Sequence, residues 1–399
     1  MTSRPPVDPG RVVLEALRRF EPLGSRSRRE FLATLAMGAA GAPFASSLLA
    51  QQSVTFPPQH SPKVMRPVNV HEIQAEAERN LTLPIYDYIT GGAEDEYTLR
   101  ANVEAFTRVW LRRRVMVDVS DIDTSLELLG QRLEFPILLD PTTKNGVIPN
   151  GDRVAAIGAH AANALYCMYT EPYIEELAQA NQAPTWWAIT LGHPTPGTTQ
   201  AWARRSEELG AKALIITVDH QYTPNRDRNI RSGFGNYVAG GRRPGVTSGL
   251  TWDYLDWMAS GSSLPRVVKG ILTPEDAVAA ADHGADAIVV SNHGGRALDG
   301  AMPTLIALPD VVDAIGGRLP VLMDGGVRRG GDVLKALALG ATAVLIGRPY
   351  VWGLAAFGAV GVQRVVEMLS YEFRVAMGLA GMPNLDAIGR TLVRLPWEQ

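Results

Sequence analysis

The chain has 399 residues, 46% of them hydrophobic and 20% charged, with a formal net charge of −3. That length exceeds one average domain but suits an eight-fold barrel, which takes about 250 residues or more as a single unit. The slight acidity argues against a nucleic-acid binder, and the lone Cys167 excludes an intrachain disulfide and any cysteine-based zinc or iron–sulfur site.

In chain order, the first distinctive segment is Ser27-Arg28-Arg29-Glu30-Phe31-Leu32, ahead of an Ala-, Gly- and Ser-rich apolar stretch running to about Ala50. It is similar to a twin-arginine export signal, with Ala33 where a Lys is usual. The resemblance implies export, already folded around a cofactor, to a periplasmic or extracellular location, with membrane anchoring if the leader stays uncleaved. A basic helix start or a single membrane anchor is the competing reading, although the many small residues make the stretch only mildly apolar. Residues 1–50 are read as leader, 51–66 as an extended linker rich in proline, and 67–399 as one barrel domain.

Tyr86-Asp87-Tyr88 and then Gly91-Gly92-Ala93-Glu94-Asp95 stand ahead of the first predicted strand. Apolar runs bounded by turn residues predict strands over Phe135–Leu139, Leu165–Met168, Trp186–Ile189, Ala213–Val218, Arg266–Val268, Ala287–Ser291, Pro320–Met323 and Ala343–Ile346. Helical patterns fall between most of them, at Thr198–Leu209, Pro274–His283 and Gly331–Leu339, and Val360–Met377 closes the chain. Strands alternating with helices predict an α/β fold, a (β/α)8 TIM barrel with an N-terminal helical lead-in. An open dinucleotide sheet has little support, because no Gly-x-Gly-x-x-Gly follows the first strand. The longest interruption, Asp219 to Pro265, has the length of a functional loop.

Chemistry concentrates in the last third. Ser291-Asn292-His293-Gly294-Gly295-Arg296 follows the apolar run from Ala287, so a His and an Arg leave the carboxyl end of a buried strand together. A proton acceptor beside a planar cationic fork suits a small substrate with a carboxylate next to an oxidisable hydroxyl. A loop His and a surface Arg form the plainer alternative. Asp324-Gly325-Gly326-Val327-Arg328 and Gly347-Arg348 end the next two strands, and Lys269 ends an earlier one. Backbone N–H groups with arginines after strands seven and eight make a phosphate cradle.

With these motifs, the chain from about Pro67 onward resembles the FMN-dependent 2-hydroxy-acid oxidase and dehydrogenase family. The resemblance implies FMN as cofactor, no metal, and oxidation of an (S)-2-hydroxy acid to the 2-oxo acid. It implies His293 as base with Asp219 as its partner, although His220 stands next to Asp219 as a rival. Arg296, Arg226 and Tyr88 are implied to hold the substrate carboxylate, with a solvated loop as the alternative for the Arg226 cluster. Lys269, Thr217, Ser291 and the Pro141-Thr142-Thr143 loop are implied to meet the flavin. Asp324, Gly325, Gly326, Arg328, Gly347 and Arg348 are implied to surround its phosphate. Relatives are often tetramers, and oxygen, a quinone or a cytochrome fits as electron acceptor.

Some positions depart from the family. Its third strand carries a Gln and a Tyr at positions matched here to Ala188 and Thr190; Cys167 falls near a flavin-contacting Ser or Thr, and Lys144 follows Thr143. These differences imply retained flavin chemistry with a larger pocket near Trp186, Trp187 and His193, and the segment after Asp219 is shorter than the family's active-site cover. FMN chemistry on another substrate class, or a non-catalytic flavin- or carboxylate-binding protein, are the alternatives.

Overall fold

The computed structural model describes residues 61–142, 147–169, 175, 178, 186–193, 195–234 and 246–396. The chain divides into units 1–55 and 56–399, and every described residue belongs to the second. The twin-arginine segment, Thr143 and Lys144 lie outside the described residues.

Eight strands form a closed parallel barrel: β1 (Ile137–Leu139), β2 (Tyr166–Tyr169), β3 (Trp186–Thr190), β4 (Leu214–Thr217), β5 (Arg266–Ile271), β6 (Ala287–Val290), β7 (Val321–Met323) and β8 (Ala343–Ile346). The ring closes where Ile137 and Leu138 of β1 pair with Val344 and Leu345 of β8. The apolar runs read as continuous because these strands are buried on both faces. Leu138, Trp187, Ile189, Ile215, Val267, Val289, Leu322 and Leu345 fill the lumen. Their neighbours Leu139, Ala188, Ile216, Val268, Val290, Met323 and Ile346 pack outward beneath the helices. The helices match expectation closely, at Pro196–Glu208, Pro274–Asp282, Gly330–Ala338 and Ala359–Ala380. Thr195 and Thr273 cap the first two, each followed by a proline in the first turn.

The same alternation builds the barrel mouth. One inward step beyond Leu138, Ile215, Val267, Val289, Leu322 and Leu345 come Asp140, Thr217, Lys269, Ser291, Asp324 and Gly347. A polar tier therefore sits on an apolar lumen. The other end is sealed by the hairpin Leu126–Leu128/Gln131–Leu133, whose Leu128 and Leu133 enter the lumen cluster. Gln131 Oε1 accepts the indole N–H of Trp187 at 2.9 Å.

Ahead of the barrel run helices Val70–Asn80, Leu83–Thr90 and Tyr97–Arg108. The third has no cap from its own preceding residue; Asp299 accepts from the N–H groups of Tyr97 at 3.1 Å and Thr98 at 2.8 Å. Pro62–Met65 is a helical turn with Val64 fully buried, so the stretch read as linker becomes packed structure before Pro67. The long interruption after β4 contains helices Asp227–Ser232 and Asp253–Ala259.

Candidate active site

His293 takes a positive φ of 57°, followed by Gly294 at 61° and Gly295 at 73°. Such a backbone is uncommon for a residue with a side chain and needs support from its surroundings. Asn292 supplies it: its Oδ1 accepts from Gly295 N at 3.0 Å, and it exchanges amide hydrogen bonds of 2.8 and 2.9 Å with Asn102. Ser291 Oγ accepts from His293 N at 3.1 Å. The imidazole is thereby turned so that Nδ1 lies 2.9 Å from Asp219 Oδ1.

Asp219 leaves β4 and rests against Gly270 of β5. Gly270 has φ 121° at an irregularity in the β5–β6 register, and a Cβ there would sit 2.8 Å from the Asp219 Cβ. Burial pushes the Asp219 carboxyl up, but His293, Lys269 and His220 outweigh it and hold it below the usual carboxylate range. Burial pushes His293 below its ordinary value; Asp219 opposes this, while Lys269 and Arg226 reinforce it. His220 is pushed down to about 4 by burial, with His293 and Arg226 adding to the effect. Its ring lies 5.2 Å from that of His293, and its Nε2 lies 3.4 Å from Arg226 Nη2. The bond from Asp219 goes to His293, which separates the two imidazoles as candidate bases.

Arg226 is buried, and its Nε donates to the Arg296 carbonyl at 3.1 Å. Its neighbour Arg228 instead pairs with Glu96 at 2.7 Å, so Arg226 is not part of a solvated run. Arg296 Nη1 donates to the carbonyls of Tyr88 at 2.7 Å and Gly91 at 2.9 Å, and its guanidinium lies 5.0 Å above the Tyr88 ring. Tyr88 in turn packs on Phe234 at 4.6 Å. Tyr88, His220, Arg226, His293 and Arg296 line one cavity of about 270 Å³.

Lys269 anchors the polar tier. Its Nζ lies 2.6 Å from Asp324 Oδ2, 3.0 Å from Ser291 Oγ and 3.8 Å from Asp140 Oδ1. Burial would lower its pKa, but Asp140, Asp324 and Asp219 together raise it, so it carries a charge. The same cavity takes in Pro141, Thr142 and Thr217, and Thr142 Oγ1 is 2.7 Å from the Tyr350 hydroxyl.

At the opposite wall, Gly325 and Gly326 take φ of 87° and 86°, and a side chain at Gly326 would strike the Asn102 carbonyl. Arg328 donates to the Val327 carbonyl at 2.8 Å and stacks 5.0 Å from the Trp352 ring; burial pulls its pKa down to about 10 against the opposing pull of Asp332. Arg348 begins helix Arg348–Phe357, which Gly347 caps. Its guanidinium donates to the carbonyls of Thr90 at 3.1 Å, Gly294 at 2.9 Å and Gly91 at 2.8 Å. Burial and then Arg296, Arg328 and Arg226 hold its pKa well below the arginine norm. An arginine depressed by burial and by positive neighbours at a helix N-terminus makes a wall built for an anion.

The third strand corrects the sequence reading. Ile189 and Leu191 face the cavity, whereas Ala188 packs outward. Thr190 Oγ1 accepts from Gly192 N at 2.9 Å and lies 3.4 Å from His193 Nε2. A shift of one residue exchanges the faces of a strand. The site positions of β3 are therefore filled by Ile189 and Leu191, neither of which has a polar side-chain atom. Trp187 lies in the lumen beside the sealing hairpin, Trp186 packs outward, and His193 packs on Trp202 at 5.6 Å, so these three do not enlarge the cavity. Cys167 is in the apolar lumen, paired in register with Trp187. Asn102, Asn292 and Asp140 were not singled out from sequence. For Asp140 a signal existed, a charged residue ending an apolar strand with inward parity.

Residues 77–395 match the FMN-dependent dehydrogenase family. The chain is similar to a peroxisomal (S)-2-hydroxyacid oxidase of Arabidopsis thaliana, 42% identical over 355 residues, covering 83% of this chain and 98% of the relative. It is similar to an L-lactate oxidase of Nostoc sp. at 39% identity, covering 83% and 99%. Among solved structures, mandelate oxidase with (S)-2-phenylpropionate superposes with a TM-score of 0.76 at 37% identity, covering 82% of this chain and 99% of that one.

Proposed function

The chain belongs to the FMN-dependent dehydrogenase family, and from that premise we propose that its barrel mouth oxidises the hydroxyl of an (S)-2-hydroxy acid to a ketone. The observation that carries this reading is the His293–Asp219 bond of 2.9 Å, set on the same cavity as Arg226 and Arg296. The residues present fit FMN. Arg328, Arg348 and the N–H groups at Gly325, Gly326 and Gly347 would hold its phosphate, in a wall where burial lowers the pKa of both arginines. Thr217, Lys269, Pro141 and Thr142 would meet the rest, with a charged lysine buried in the polar tier, while Ser291 is fully buried and does not line the cavity but holds Lys269 and Asp324 in place. Bound FMN supplies the acceptor for the α-hydrogen and electron pair that leave the substrate carbon.

An ionised carboxylate only accepts hydrogen bonds, so Asp219 places the imidazole hydrogen on Nδ1 and leaves the lone pair at Nε2. Nε2 takes the hydroxyl proton, and Asp219 stabilises the imidazolium that results. Arg296 and Arg226 face the substrate carboxylate, and Tyr88 adds its hydroxyl. β3 offers hydrocarbon alone at Ile189 and Leu191, so the other elements supply the polar contacts to substrate.

The test is anaerobic mixing of the flavin-loaded protein with short, branched and aromatic 2-hydroxy acids. Rapid loss of oxidised-flavin absorbance with one of them is expected; a loaded, folded protein that none of them bleaches rejects the reading. We further propose export through a twin-arginine route, supported by Ser27 to Leu32. Cell fractionation of the full chain and of a form with both Arg28 and Arg29 replaced by Lys checks it, and an unchanged distribution would sink the idea.

A further inference from the structure

Asp140 ends β1 and lines the cavity, yet neither the proton transfer nor the grip on the carboxylate uses it. Its backbone is pinned: the N–H donates to the Ile346 carbonyl at 2.9 Å, and its own carbonyl accepts the Tyr350 hydroxyl at 2.7 Å. One carboxylate oxygen lies 3.8 Å from Lys269 Nζ, while the other leans toward Gly347, 3.3 Å from where a Cβ would stand. The two acidic residues of the polar tier thus act differently on its one lysine. Asp324, at 2.6 Å and tied to Ser291 at 2.7 Å, fixes where the ammonium sits. Asp140 is beyond hydrogen-bonding distance of Lys269 and acts on it through charge. Burial disfavours the charged form of Lys269, and Asp140, Asp324 and Asp219 each favour it.

We propose that Asp140 sets the electron affinity of the bound flavin by offsetting the positive charge of Lys269. It is a positioning residue for charge, and the inference rests on FMN occupying the barrel mouth. Reduction places extra electron density on the ring. In a cavity of low dielectric, a buried lysine favours that density and a carboxylate beside the lysine opposes it. The native protein therefore holds its flavin at a lower midpoint potential than the lysine alone would give.

The experiment compares the flavin-loaded native protein with Asp140→Asn, Asp140→Ala and Asp140→Glu. Midpoint potential is read against a reference dye, and sulfite, which adds reversibly to oxidised flavin, is titrated separately. In the Asn and Ala forms the two-electron reduction equilibrium is expected to move about tenfold toward the reduced state, roughly 30 mV upward. Sulfite affinity is expected to rise with it, while the Glu form stays near native. If the Asn form does not retain FMN, the Ala form carries the comparison. Unchanged potential and sulfite affinity in the loaded variants overturns the proposal, as does a Glu form that rises as far as Asn. Neither readout needs a hydroxy acid, so failure here and failure of the substrate reading are separate results.

Discussion

Asp219 does two things to His293 that have opposite consequences for the pH dependence of the reaction. It orients the ring, and it raises an imidazole pKa that burial, Lys269 and Arg226 all push down. The base works in its neutral form, so kcat/KM rises with pH through the His293 pKa and levels off above it. In Asp219→Asn the upward pull is lost and the downward ones remain, so the acid limb is expected to move to lower pH. The plateau is expected to fall by about 10²–10⁴, the worth of a positioned general base, because the imidazolium loses its counter-charge. A pH–rate profile of the variant decides this; a limb displaced to higher pH would contradict the assignment. His220 is already neutral across that range with a pKa of about 4, so it adds no second limb near neutrality.

The irregularity in β5 gives Asp219 its room. Gly270 combines φ 121° with a direct approach to the Asp219 side chain. Gly270→Ala is expected to lower stability by about 1–3 kcal/mol through backbone strain and to reduce kcat/KM by displacing Asp219. Denaturant unfolding alongside steady-state kinetics checks both, and a variant with native activity would show that Asp219 tolerates the methyl group. Neither this contact nor the Asn102–Asn292 pair could be seen in the sequence, since each joins segments far apart in the chain. The strands and helices were legible because the apolar runs and helical periods are strong. The faces of β3 were not, because a strand buried on both sides shows no alternation of apolar and polar residues. On such a strand the sequence alone does not tell Ala188 and Thr190 from Ile189 and Leu191 as the residues facing the cavity. His293, Arg296 and Lys269 were legible because a polar residue ending an apolar strand stands out. The cap on helix Tyr97–Arg108 did not, because Asp299 lies 201 and 202 residues from the groups it caps.

Across the whole molecule, Arg226, Arg296, Arg328 and Arg348 line one cavity, and the last of them is destabilised as a cation by burial and by the other three. Such a cavity is costly to fold without an anion, so cofactor and stability are linked. Removing FMN is expected to lower Tm, and FMN at about a hundred times its Kd is expected to restore about 2.7 kcal/mol. Inorganic phosphate should raise the Tm of the flavin-free protein more than sodium chloride of equal ionic strength. Equal effects of the two salts in calorimetry would mean that the arginines act as general surface charge.

The carbonyls of Tyr88, Thr90 and Gly91 are held by Arg296 and Arg348, across separations of 205 to 258 residues. During synthesis the lead-in helices emerge long before either arginine exists. Contacts so distant in sequence carry the largest loop-closure cost and tend to form late. The cofactor chamber is thus an end product of folding: its near wall is made first and waits for the eighth strand to deliver the residue that fastens it.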